Sequence, residues 1–291
     1  MEWLQRGMGT AGTSLAAFFT LFGEELILTG LVVFLYWVYD KEFGKYVGIN
    51  LILGCVWNPM VKNIFTRRRP YFDNPEIKCL RAVEEKADIY DIAAQGYSFP
   101  SGHSTSAAAS YISCARYEKK GWMRVAAAIL CTLVAVSRVC LGVHYPTDVL
   151  FGLALGAVIV YVLPLLRAKL GNDTLFYLIL VLSGLPGFFY CESSDFYTGY
   201  GMLCGMAFGL IFEERFVGFE NTKKILPAVC RVALGLGIFL GLTNGLKLLF
   251  SPELLASDTL AAHLIRTMRY GIACFTVAGP YPLLFRYKPF K

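Results

Sequence analysis

Two of the chain's three histidines stand in short polar segments between apolar runs. The segment 137–148 reads SRVCLGVHYPTD and holds Arg138, His144 and Asp148. His144 and Asp148 have i,i+4 spacing. A helix opening near residues 145–146 would bring the Asp148 carboxylate to one imidazole nitrogen and leave the other to attack phosphorus. Arg138 carries a planar guanidinium suited to phosphate oxygens. A His–Asp pair at a membrane edge is the plainer alternative for this segment alone.

Two further segments supply complementary groups. Residues 62–70 read KNIFTRRRP, with Lys62 and Arg69 seven residues apart. Nearly two helical turns separate them, which predicts one shared helix face. Pro70 then favours an exit from the helix. A stop-transfer charge cluster accounts for Arg67 and Arg68 equally well. Lys62 lies deeper against an apolar run, where an unpaired charge is costly and often functional. Residues 100–103 read PSGH and precede Ser104, Thr105 and Ser106. Ser101 and Gly102 let the backbone approach an anion, and free N–H groups at a helix start can bind phosphate. His103 is placed to give a proton to a departing oxygen. Taken alone, this segment is also a common helix cap. Together, Lys62, Arg69, Arg138, His103, His144 and Asp148 make a phosphoryl-transfer set: cations for the equatorial oxygens, a nucleophile and an acid.

Elements that can hold such a set follow from composition. The chain is 56% hydrophobic and only 16% charged, against roughly 25% charged in an ordinary soluble domain. Lipid is the expected solvent, and the many aromatics suit bilayer interfaces. The expected fold is all-α, a polytopic membrane bundle of about nine helices, with spans near 25–39, 44–65, 105–117, 123–141, 149–166, 175–190, 199–211, 225–250 and 270–285. The Ala- and Ser-rich run 105–117 reads as a tightly packed inner helix. The segment 254–268 reads as interfacial. The domain reading is a 1–24 interfacial or additional helical segment, a 25–166 catalytic core with a 66–100 active-site loop, and a 167–291 transmembrane extension.

Alternation of the spans groups Lys41, Lys45, Arg116, Lys119, Lys120, Arg124, Arg167 and Lys169 on one side. Positive-inside logic makes that side cytoplasmic and puts the three polar segments on the opposite face. The net charge of +6 is spread between apolar runs and does not form a nucleic-acid surface. The opening MEWLQRG has no basic n-region before an apolar stretch, so no cleaved signal peptide is expected. Of nine cysteines, seven lie in apolar runs and behave as small hydrophobes. Cys79 and Cys191 lie in polar connections and would pair only if both faced an oxidising compartment. His263, Arg266 and Arg269 are candidates for a substrate entrance, with interfacial anchoring the alternative. Glu24 and Glu25 are candidates for pairing with basic site residues or for a membrane edge. Glu213, Glu214 and Arg215 fit either an internal polar network or a cytosolic edge.

The chain resembles the type 2 phosphatidic acid phosphatase family, whose pattern is KxxxxxxRP, PSGH and SRxxxxxHxxxD. All specified positions match at residues 62–70, 100–103 and 137–148. The resemblance implies a phosphatase in which His144 is the nucleophile, Asp148 its orienting carboxylate and His103 the acid and then the base. It implies a phosphate clamp of Lys62, Arg69 and Arg138, assisted by Ser101 and Gly102, and no metal or other cofactor. The larger layout is similar to glucose-6-phosphatase and sphingosine-1-phosphate phosphatase relatives. An amphiphilic phosphate is the expected partner, led by a polyprenyl diphosphate in a bacterial cytoplasmic membrane, with the site on the periplasmic, extracellular or lumenal side. Phosphatidate, phosphatidylglycerophosphate, sphingoid-base phosphates and sugar phosphates are alternatives. So are a lipid-linked phosphotransferase and a non-catalytic lipid transporter.

Overall fold

Prolines and small polar caps in the sequence mark several helix starts. Pro70, Pro146 and Pro252 each open a helix, a position where the missing N–H leaves no bond unmade. Ser101, Asn172, Ser251 and Thr259 each accept a backbone N–H from the first turn that follows them, which satisfies an orphan donor. The computed structural model describes residues 1–291 and is all-helical. In chain order the helices are α1 (Glu2–Thr20), α2 (Glu25–Phe34), α3 (Lys41–Phe65), α4 (Pro70–Asp73), α5 (Ile92–Gln95), α6 (Gly102–Glu118) and α7 (Gly121–Cys140). They continue as α8 (Pro146–Leu170), α9 (Asp173–Gly184), α10 (Ser194–Phe212), α11 (Ile225–Gly245), α12 (Pro252–Ala256) and α13 (Leu260–Ala278).

Three stretches are long and apolar enough to cross a membrane: Gly121–Cys140, Pro146–Leu170 and Ile225–Leu249. A fourth arises if the bent pair Glu2–Gly23 and Glu25–Tyr39 counts as one span. Length and composition therefore carry three or four crossings and do not carry the expected nine. The difference has local causes. A π turn at Leu35–Tyr39 and a 3-10 turn at Leu185–Phe189 end the α-helical parts of the expected spans 25–39 and 175–190. The segment 254–268 also differs from expectation: from Leu260 onward it is the first half of α13, which runs to Ala278.

The chain divides into two units. The first comprises Met1–Thr29 and Trp57–Leu163. In it α6 pairs with α7, and α1 packs on α7. Helix α6 is buried continuously from Ser104 to Ser110. Its small residues allow close approach. A Cβ added at Gly152 of α8 would stand 2.5 Å from the Ser101 carbonyl oxygen, and one at Gly156 2.5 Å from that of Thr105. The α8 glycines thus fix the start of α6 against the start of α8. Beneath the α7–α8 connection, Leu141, Val143 and Cys140 pack with Ala16 and Tyr71.

The second unit comprises Gly30–Val56 and Pro164–Lys291. Helices α10 and α13 form its closest pair, because Gly201 and Gly205 face the carbonyls of Thr267 and Gly271. Lysines and glutamates pair within it: Lys45 lies 2.9 Å from both Glu42 and Glu214, and Lys41 lies 3.0 Å from the fully buried Glu213. Of Glu213, Glu214 and Arg215, only Glu213 is internal; Glu214 and Arg215 are exposed.

Candidate active site

The three polar segments sit at the ends of helices within the first unit, and helix-start chemistry places the most important pair. Helix α8 begins at Pro146, so Tyr145 is its cap and Asp148 the third residue of its first turn. The Asp148 carboxylate folds back and accepts the Tyr145 N–H at 2.8 Å, one half of a capping box. That return brings Asp148 Oδ2 to 3.6 Å from His144 Nδ1. That separation is longer than a hydrogen bond. The approach turns Nδ1 toward the carboxylate and leaves Nε2 as the nitrogen available to a substrate. Both residues are buried.

Asp148 has a second holder that the sequence left as a stop-transfer charge. Arg67 donates from Nη1 to Asp148 Oδ1 at 2.9 Å and to Thr147 Oγ1 at 2.7 Å. Its guanidinium lies 3.9 Å from the Tyr145 ring centroid. A run of three arginines gives no signal to separate this one from its neighbours. Only the fold brings residue 67 onto residue 148.

Arg69 departs from the expectation of a helix face shared with Lys62. Helix α3 ends at Phe65, Thr66 takes a positive φ of 46°, and Arg69 is extended at φ −75°, ψ 155°. Pro70 imposes that geometry on the residue before it. The buried guanidinium donates to the carbonyls of Gln95 at 2.6 Å and 2.9 Å, Gly96 at 3.0 Å and Val143 at 3.1 Å. Arg69 therefore ties the 66–100 connection to the His144 loop as well as contributing charge. That loop turns at Gly142, whose φ is +77° and where a Cβ would stand 2.3 Å from the Lys78 carbonyl oxygen. Only glycine suits both demands.

Ser101 caps α6: its hydroxyl accepts the Ser104 N–H at 3.4 Å. Its own N–H donates to the Asp148 carbonyl at 2.9 Å, and Asn58 of α3 donates to the Pro100 carbonyl at 3.2 Å and to Thr105 Oγ1 at 2.9 Å. These bonds join the PSGH segment to Asp148 and to α3, the helix that carries Lys62. Arg138, in the last turn of α7, is buried and donates to Thr20 Oγ1 at 2.9 Å. Its Nε has no protein partner.

The set converges electrostatically on His144. Burial first, and then the positive charges of Arg69, Arg138 and Lys62 with His103, hold the His144 imidazole well below its ordinary range. His103 likewise lies within the field of Arg138, Lys62, Arg81 and Arg69. The arrangement can keep a neutral imidazole nitrogen beside a concentration of positive charge, which suits attack on an anionic phosphorus centre.

The proposed entrance residues belong to the second unit. His263 Nε2 lies 3.0 Å from Asp258 Oδ1, and its ring stacks on Tyr197 at 4.2 Å between ring centroids. Arg266 reaches Thr198 at 3.4 Å, and the buried Arg269 donates twice to the Thr243 carbonyl, at 2.6 Å and 3.1 Å. Glu24 of the first unit pairs with Arg81. All nine cysteines are free thiols.

Two family models match the chain: the PAP2 superfamily over residues 42–171, and the PAP2 superfamily phosphatase transmembrane extension over residues 197–288. The chain belongs to the PAP2 superfamily. All three polar segments of this PAP2 protein fall inside the first match, and His263, Arg266 and Arg269 fall inside the second. It is similar to an undecaprenyl-diphosphatase of Sulfolobus acidocaldarius, 28% identical over 145 residues, covering 49% of this chain and 65% of the relative. It is similar to phosphatidylglycerophosphatase B of Bacillus subtilis, 39% identical over 74 residues, covering 22% and 36%. A third relative, undecaprenyl-diphosphatase BcrC of Bacillus subtilis, is 30% identical over 139 residues, covering 46% and 65%. The chain thus spans less than two thirds of the length of each of these relatives. No solved structure matches it. The transmembrane extension and the apolar helices make this PAP2 chain an integral membrane protein.

Proposed function

We propose that the protein is a membrane phosphatase acting on a lipid-linked phosphate, with a polyprenyl diphosphate as the leading substrate. The observation that carries this reading is the buried His144–Asp148 pair within the field of Lys62, Arg69, Arg138 and His103. Relatives named for undecaprenyl diphosphate and phosphatidylglycerophosphate support a lipid-borne phosphate.

The terminal phosphate binds among Lys62, Arg69 and Arg138, with the Ser101 and Gly102 segment at the start of α6. His144 Nε2 attacks phosphorus in line. The bond from phosphorus to the leaving oxygen breaks, its electron pair leaves with that oxygen, and His103, which takes up a proton once the negative phosphate offsets the surrounding cations, supplies that proton. Asp148 steadies the imidazole as it gains positive charge. His103 then takes a proton from water, which attacks phosphorus and breaks the N–P bond, releasing inorganic phosphate. The site faces the non-cytoplasmic side, the placement that the distribution of Lys and Arg between spans supports.

A phosphate-release assay in lipid vesicles with polyprenyl diphosphate, phosphatidate, sphingosine phosphate and glucose 6-phosphate tests the reading, with a metal chelator present. Wild type is expected to release phosphate from the lipid substrates, and His144→Ala to reduce release by at least about 10³-fold while the protein still inserts in the membrane. Full turnover by His144→Ala would remove the nucleophile assignment. Appearance of a phosphorylated acceptor in place of free phosphate would reassign the protein as a transferase.

A further inference from the structure

A cavity of about 410 Å³ opens on the His103 side of the site. His103 and Arg138 form part of its wall, and Glu24 and the residues from Arg81 to Lys86 form the rest. Its volume lies within the range of about 300–1,000 Å³ usual for ligand pockets, far more than a departing oxygen needs. In the mechanism above, the leaving group sits on the side of its proton donor, His103. The chemistry of this cavity therefore bears on what leaves.

Its lining mixes apolar and charged groups and includes an arginine with no part in the mechanism. Arg81 donates to the Ala17 carbonyl at 3.0 Å and pairs with Glu24. Both side chains are about 30% exposed, so each is part anchored and part open to the cavity. Arg81 acts electrostatically on both His103 and Arg138, and Glu24 acts on Arg138. The segment carrying Arg81 is fixed from below. The side-chain oxygen of the buried Gln95 accepts the N–H groups of Val83 at 2.9 Å and Glu84 at 3.3 Å, and its side-chain nitrogen donates to the Glu84 carbonyl at 2.9 Å. The backbone carbonyl of the same Gln95 holds Arg69. One residue therefore links the terminal-phosphate clamp to the wall of the leaving-group cavity. Glu84, Glu85 and Lys86 are exposed, and their charges are solvated at the mouth.

We propose that Arg81 binds the second phosphate of a diphosphate substrate, the one that departs with the lipid, and that Glu24 holds its guanidinium in place until the substrate arrives. The proposal rests on the phosphatase reading of the site and deepens it by naming the substrate class. A guanidinium presents two parallel N–H donors that match phosphate oxygens. A phosphate bound there replaces the Glu24 carboxylate as the anionic partner of Arg81. Attack by His144 on the terminal phosphorus forms the N–P bond and breaks the link to the bridging oxygen. The electron pair goes to that oxygen, His103 protonates it, and Arg81 stabilises the lipid monophosphate as it forms. A phosphomonoester substrate has no second phosphate and gains nothing from Arg81.

The test compares kcat/KM for a polyprenyl diphosphate and for the monophosphate of the same chain length, in wild type, Arg81→Gln and Arg81→Lys. Wild type is expected to prefer the diphosphate, with a monophosphate rate below detection counting as preference. Arg81→Gln is expected to reduce that preference about tenfold, the scale of one charge-assisted phosphate contact, and Arg81→Lys to retain part of it. If Arg81→Gln does not fold, the partial loss in Arg81→Lys decides. Absence of preference in wild type, or a preference preserved in a folded variant, overturns the Arg81 assignment and leaves the phosphatase reading standing. Release of phosphate from neither substrate by wild type overturns both.

Discussion

At the scale of single residues, the account rests on how a carboxylate in the first turn of a helix orients the histidine just ahead of it. Asp148 is held from two sides, by the Tyr145 N–H and by Arg67. Asp148→Asn removes the charge that supports the imidazolium while keeping the shape. It should reduce kcat at saturating substrate by about 10²-fold or more with KM little changed; an unchanged kcat would contradict the orienting role. The buried position of His144 among cations makes a pH prediction with a definite sign. Its imidazole is held below its ordinary range, so it stays neutral as pH falls through about 6.5. The acidic limb of kcat/KM, corrected for the substrate's own ionisation, should therefore lie below pH 6.5. A limb at or above that value would mean an exposed, unperturbed histidine. The same depression contributes stability that is fully present above the unfolded value and is lost as pH falls through the folded one. The identities of Lys62, Arg69, Arg138, His103, His144 and Asp148 were legible from spacing and residue type. Arg67 was not, because its partner lies 81 positions away. Nor was the double duty of Arg69, which needs the carbonyls of Gln95 and Val143 to be seen beside it.

At the scale of elements, the site is a meeting of helix ends. The end of α7 and the starts of α6 and α8 were readable from Ser101, Pro146 and the polar segments themselves. The close approach between α6 and α8 was not, because glycines in an apolar run look alike until their neighbours are known. Gly152 and Gly156 make a discriminating pair. An added methyl group meets backbone in both cases, the Ser101 carbonyl at Gly152 and the Thr105 carbonyl at Gly156. Each substitution to Ala should destabilise by about 1–3 kcal/mol, the usual cost of overpacking a close contact. Thermal unfolding in detergent would measure it. Gly152→Ala should also reduce kcat well beyond Gly156→Ala, since it displaces the cap of α6 that carries Gly102 and His103. Equal activity in the two variants would mean that the start of α6 is not positioned by this contact.

At the scale of the whole chain, hydropathy gave the solvent and the fold class but not the number of crossings. Apolar runs report burial without reporting where a helix tightens or ends, as at the π turn Leu35–Tyr39. The two units also divide labour in charge. The first concentrates cations beside two histidines, whereas the second balances Lys41 and Lys45 against Glu42, Glu213 and Glu214. A concentration of positive charge beside an imidazole is what a phosphate-binding nucleophile requires, and the first unit places it around His144. The most direct measurement is to trap the covalent state. Turnover of a substrate labelled in its terminal phosphate should be stopped with alkali, which preserves phosphohistidine, and the label located by peptide mass. The account predicts phosphate on the peptide bearing His144, absent from His144→Ala. Rapid turnover with no phosphate on His144, or label on another residue, would contradict it.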